Sequence, residues 1–288
     1  MATISRKAFE AYRETLRKIR DHCSMEVGDA IDQLEWSTPA KIRVNKKRLV
    51  RVMEQVIGSH AGAYIEAVLQ FGNATTSALA WTEVEAGVLK TMEAPPPVDT
   101  KALASTVDYN AKKLAIGDFE GFKADICGHA AMYAKRVAYD QLGSSFAVSS
   151  NLTQRQRAAR VRQGLEMAWV PSGDTCAFCI ALASRGWQRA RQERMGDYAE
   201  HVHGHCDCEL VFRTDSSMEV EGYDPQAYRD IYYNEDILPP EYQGADDVPW
   251  RERVNAIRRN QYAQPEIGDR IREQHREQYA ETHPHDDE

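Results

Sequence analysis

Four of the six cysteines crowd into two short windows, and this placement limits the fold more than any other feature of the chain. Cys176-Ala-Phe-Cys179 is a C-x-x-C string, and about a helix length later comes His201-Val-His203-Gly-His205-Cys206-Asp-Cys208. Thiolate and imidazole donors in two such clusters suit a structural zinc ion, which takes roughly four N or S ligands in a tetrahedron, two from each of two short loops. The expected ligands are Cys176 and Cys179 with two of His203, Cys206 and Cys208, and the spacing leaves open which two. His201 and His205 read as polar surface. Bound to a cation, the thiols are inert ligands and not nucleophiles. The competing reading, a redox pair at Cys176 and Cys179 or four reduced core thiols, leaves the second window unexplained.

A catalytic metal is not expected. The zinc deaminase signature places H-x-E ahead of P-C-x-x-C, whereas here the order is reversed and Pro171 is not adjacent to Cys176. Glu209 is the only nearby acid with a claim to such a role. Ser184, in Leu182-Ala-Ser-Arg-Gly186, sits in no recognisable nucleophile elbow and reads as a turn cap. The expectation is a protein that is not an enzyme.

The rest of the chain reads as predominantly helical, in an α+β fold. Phe9, Tyr12, Leu16, Ile19, Cys23, Val27, Ile31 and Leu34 recur at spacings of three and four, the mark of a helix with one buried stripe. Ser37-Thr38-Pro39 supplies a capping hydroxyl and a first-turn proline for a second helix, in which Gly58, Gly62 and Gly72 mark interruptions or close packing. Ala94-Pro-Pro-Pro97 breaks the pattern as a linker or corner. Lys101 to about Leu142 is helical again, with Tyr109, Leu114, Ile116, Phe119, Phe122, Ile126, Met132, Tyr133 and Val137 available for burial and Cys127 as core. Gly143 to Asn151 reads as a surface loop. Leu165 to Val170 reads as a strand, and Pro171-Ser-Gly-Asp174 as the turn that delivers the first cysteine pair. Residues 215–249 are acidic and proline-bearing, so extended or irregular structure is expected. A charged helix from Trp250 is broken by Pro265, ahead of a frayed tail. The predicted divisions are 1–93, an N-terminal helical region; 94–153, a linker and central helices; 154–238, a region with short strands around the zinc knuckle; and 239–288, a C-terminal arm.

The net charge of −8 and pI near 5.7 argue against a surface that wraps DNA through lysine and arginine. The basic stretches Lys41 to Arg51 and Arg155 to Arg162 read as solvated helix faces. No uncharged run approaches the roughly 20 residues that span a bilayer, so no membrane partner is expected and synthesis in a cytoplasm is the default.

One resemblance adds to this reading. Asp174-Thr-Cys-Ala-Phe-Cys-Ile-Ala-Leu-Ala-Ser-Arg-Gly186, then His203-Gly-His-Cys-Asp-Cys-Glu-Leu-Val211, resembles the Mu F-like minor head proteins of tailed bacteriophages, which carry D-x-C-x-x-C-x-x-L-x-x-x-G followed by H-x-x-C-x-C. Arg160-Val161 with Gly164, and Gly222-Tyr223-Asp224-Pro225 through Tyr232, extend the likeness to about residues 154–280. The departures are Trp187, where relatives often enter a strand, and Glu209-Leu210, where apolar or proline residues are common. The resemblance implies a minor capsid component present in few copies. It would associate with the portal protein and other head proteins during head morphogenesis, contact packaged DNA, and lie in the virion near the portal vertex. The alternative is a zinc-dependent nuclease or effector encoded in a phage.

Overall fold

A computed structural model of the chain describes residues 3–75, 97–148, 166–171, 175–189, 208–213 and 215–263. They are mostly helical with a few short strands, as the α+β expectation had it. The chain divides into two compact units: one takes residues 11–148 of the described chain, the other residues 3–10, 166–189 and 208–263.

The first unit is all helix. Helix α1 (Arg6–Asp32) starts where the Ser5 hydroxyl accepts the Ala8 N–H, and buries Tyr12, Leu16, Cys23, Val27 and Ile31 along one stripe, as the spacing predicts. Helix α2 (Pro39–Thr75) begins as its sequence says, with Thr38 Oγ1 accepting the Lys41 N–H at 3.3 Å and proline in the first turn. It runs unbroken through Gly58, Gly62 and Gly72; Gly58 and Gly72 are buried, so close packing explains them and interruption does not. Asp99 caps helix α3 (Thr100–Asn110), and the short α4 (Lys112–Ala115) ends at Gly117, whose φ of +82° reverses the chain before α5 (Phe119–Val148).

Helix α5 packs mainly on α2, and α1 lies against both: Tyr12 stacks on Phe71 with centroids 4.1 Å apart, and Lys123 Nζ meets Asp32 at 2.6 Å. Phe122, Ile126 and Val137 are buried as expected, but Tyr109 and Ile116 are 69% and 81% exposed. Both belong to the short α3–α4 corner, where the period drifts and no partner helix covers them. The expected loop at Gly143 is helix as far as Val148, because serine and glycine at a helix end are tolerated when the helix has already run seven turns. The Lys41–Arg51 stretch is a solvated face of α2, while Arg155 to Arg162 and most of the Ala94–Pro97 corner lie outside the described residues.

The second unit holds the strands. β2 (Glu166–Val170) is the centre of an antiparallel sheet in the order β3-β2-β4, with β3 at Gln188–Arg189 and β4 at Glu209–Arg213. Its register sets Val170 opposite Glu209 and Glu166 opposite Arg213. β1 (Thr3–Ile4) pairs in parallel with β5 (Glu219–Val220), so the first residues of the chain build into this unit. The segment expected to be irregular contains helix α7 (Pro225–Tyr232), started by the Asp224 carboxylate accepting the Gln226 N–H at 2.9 Å. The acidic composition obscured it; the Asp-Pro pair that read as a turn is its cap and first residue. Helix α8 is described over Trp250–Ala263, and Pro265 lies outside the described residues.

Candidate functional site

Cys176 and Cys179 sit at the start of helix α6 (Ala177–Ala183), which follows β2 in the chain. Cys176 is the cap: its backbone is extended, its carbonyl accepts the Ile180 N–H at 3.0 Å, and its Sγ accepts the Cys179 N–H at 3.4 Å. Cys208 immediately precedes β4, which the register places beside the end of β2. Its side chain is fully buried, and the thiol donates to the Cys179 carbonyl at 3.7 Å. The fold therefore brings Cys208, the last residue of the second window, against the helix that carries the first.

Zinc takes thiolate donors, and the described residues set Cys176 and Cys179 at one helix start with the Cys208 sulfur against the Cys179 carbonyl. The described residues do not complete the set by themselves: among them no three His, Cys, Asp or Glu side chains are grouped so as to hold a metal. The two other expected ligands, His203 and Cys206, lie outside the described residues, as do His201 and His205. Glu209 is buried in β4, and Ser184 donates to the Ala181 carbonyl at 2.9 Å, capping α6 as expected.

The conspicuous strings around the cysteines have structural work to do. Gly186, with φ of +64°, turns the chain out of α6, and a Cβ there would stand 3.3 Å from Pro225. Tyr223 donates its phenol to the Ala183 carbonyl at 2.9 Å and so fastens α6 to the segment before α7. Burial, and then the nearby Cys208 sulfur, push the Tyr223 phenol well above its ordinary range. Phe178 meets Trp250 edge to face, and Gln261 donates to the Thr175 carbonyl at 2.8 Å, which ties α8 to the same loop.

One feature sequence reading missed is Arg213, only 6% exposed at the end of β4. Its guanidinium bridges Glu166 of β2 at 2.8 Å and Glu219 of β5 at 2.7 Å, and donates to the Met218 carbonyl. It also lies 4.1 Å over the Trp187 ring, whose indole N–H donates to Glu219. The single available signal was an arginine closing an otherwise apolar strand, Leu210-Val-Phe-Arg213.

With this geometry described, comparison with known proteins is decisive at the level of family. The VG15 protein family matches residues 3–235, well over half of the chain. The protein belongs to the VG15 family. No curated protein and no solved structure matches it.

VG15 proteins are a viral, phage-type family, and the match runs through the helical unit, the cysteine windows and the Arg213 cluster alike. It ends just beyond α7, so α8 stands outside the matched span. The cysteine-bearing unit of this VG15 protein is built so that α6, the β2–β4 pair and Tyr223 fix the positions of Cys176, Cys179 and Cys208. Among the described residues no helix is long and apolar enough to cross a membrane.

Proposed function

We propose that this VG15 protein is a minor capsid component of a tailed bacteriophage, a Mu F-like head morphogenesis protein that associates with the portal vertex and serves head assembly and DNA packaging or ejection. The observation that carries this reading is the match to a viral family over residues 3–235, which takes in the same Cys176–Cys208 strings that resemble the minor head proteins. In this role the helical unit docks on other head proteins. Cys176 and Cys179, with two of His203, Cys206 and Cys208, supply the four ligands of one structural zinc ion. The ion ties the start of α6, whose seven residues are all buried, to the second cysteine window. No substrate is turned over.

Purified protein mixed with proheads should co-sediment with particles that contain the portal and stay in the supernatant with particles that lack it. Equal pelleting with both, or with neither, would remove the portal assignment. For the metal, elemental analysis after exhaustive dialysis should return about one zinc per chain, and Cys176→Ser and Cys208→Ser should each lower it. Metal-free protein with normal stability would remove the ion and leave the head assignment to stand on the family alone.

A further inference from the structure

In the second unit, helix α8 carries an arginine that meets no carboxylate among the described residues. Arg253 is 9% exposed, its Nη1 is sealed from solvent with no hydrogen-bond partner, and among the described residues it makes no ion pair. A buried, unpaired guanidinium is costly, and natural proteins seldom keep one without an anion to meet it. The side chain is held in place by aromatic rings: its Cζ lies 5.1 Å from the Tyr233 centroid and 5.8 Å from that of Tyr232, and those rings meet edge to face at 4.9 Å. With 9% of its surface exposed, the residue is not wholly closed to an acceptor.

More positive charge gathers nearby. Arg185 and Arg253 both act on the Tyr232 phenol, opposing the rise that burial imposes on it. Arg229, on α7, has an Nη2 that would stand 3.8 Å from a Cβ at Gly186, which places it beside Arg185. Arg185 and Arg229 are exposed, and neither makes an ion pair among the described residues. Tyr233 is 57% exposed and offers an open ring next to the guanidinium.

We propose that Arg253, caged by Tyr232 and Tyr233 and flanked by Arg185 and Arg229, is a seat for a phosphate of a nucleic-acid strand. Two properties select phosphodiester over a carboxylate-bearing peptide. Several arginines with no carboxylate partner among the described residues suit a run of phosphates better than one carboxylate, and an exposed tyrosine face beside a cation is the pairing on which unstacked bases rest. The overall charge of −8 does not oppose this, because the seat is local. The inference deepens the virion reading by naming which surface meets the strand.

The test is fluorescence anisotropy of the full chain with a labelled 20-nucleotide oligo-dT, in low and in moderate salt. Binding should weaken as salt rises. Arg253→Met should weaken it about tenfold and reduce the salt slope by about one, with Arg185→Gln acting in the same direction. Because Arg253→Met risks the fold, exposed Arg185 provides the independent variant, and circular dichroism checks both. Unlabelled polyglutamate should not compete. No binding by the wild-type chain, unchanged binding by Arg185→Gln together with folded Arg253→Met, or displacement by polyglutamate would each overturn the proposal. Prohead association is scored separately, so oligonucleotide binding without it supports the seat and removes the portal assignment alone.

Discussion

Arg213 is the residue on which the strands of the second unit depend most. Replacing it with Met keeps the aliphatic stem but leaves Glu166 and Glu219 facing one another without the cation between them. Losing one partner of a largely buried, hydrogen-bonded ion network costs about 3 kcal/mol, and Glu219 is half exposed, so a loss nearer 2 kcal/mol is expected in urea unfolding. Replacing Glu166 and Glu219 together with Arg213 should recover part of it. In the helical unit, Cys23 and Cys127 lie where periodicity places core residues, and burial pushes their thiols up to about 12 and about 11 from an ordinary 9.0. The unfolded chain therefore loses these protons first as pH rises. Stability is complete below about pH 9 and falls between there and about pH 12, by up to about 1.4 kcal/mol per pH unit for each thiol. Urea midpoints from pH 8 to 10.5 should show this fall, and Cys23→Ala should make it shallower. The sequence revealed Cys23 as core, where periodicity is local, while Cys127, read as core too, is half-buried. It did not reveal Arg213 or Arg253, because their meaning lies in partners distant along the chain.

Among the elements, α6 ends in a turn whose backbone favours glycine and which packs against the start of α7. Gly186 has φ of +64° and stands against Pro225, so Gly186→Ala meets both a backbone penalty and a contact at 3.3 Å. A loss of about 2 kcal/mol is expected, measurable as a lower melting temperature, whereas Gly62→Ala in the open face of α2 should be neutral or stabilising. The contrast shows what was legible at this scale. A helix start such as Thr38-Pro39, or a long apolar period as in α1, stands out in the sequence because the signal lies within a few residues. Helix α7 was concealed by an acidic, proline-containing setting, and the helical end of α5 by serines and glycine that read as a loop. Tyr109 and Ile116 fit a helical period yet face outward, since period alone does not say where a neighbouring helix stops.

For the whole molecule, the two units do not follow the order of the sequence. Residues 3–10 build with the cysteine-bearing segment, through the β1–β5 pairing and an Arg6 N–H bonded to Glu221 at 2.8 Å. A pairing of two residues across more than two hundred others leaves no composition signal, so a helical N-terminal region was the natural reading. That the VG15 match starts at residue 3 and runs to 235 accords with this arrangement, since both partners of the pairing fall inside it. The central claim, a structural component of a phage head, is tested most directly by peptide mass spectrometry of density-purified particles washed in high salt. The account predicts peptides of this chain in the particles, at a few copies relative to the major capsid protein. Their absence from particles, with the protein present in the infected-cell lysate, would contradict it.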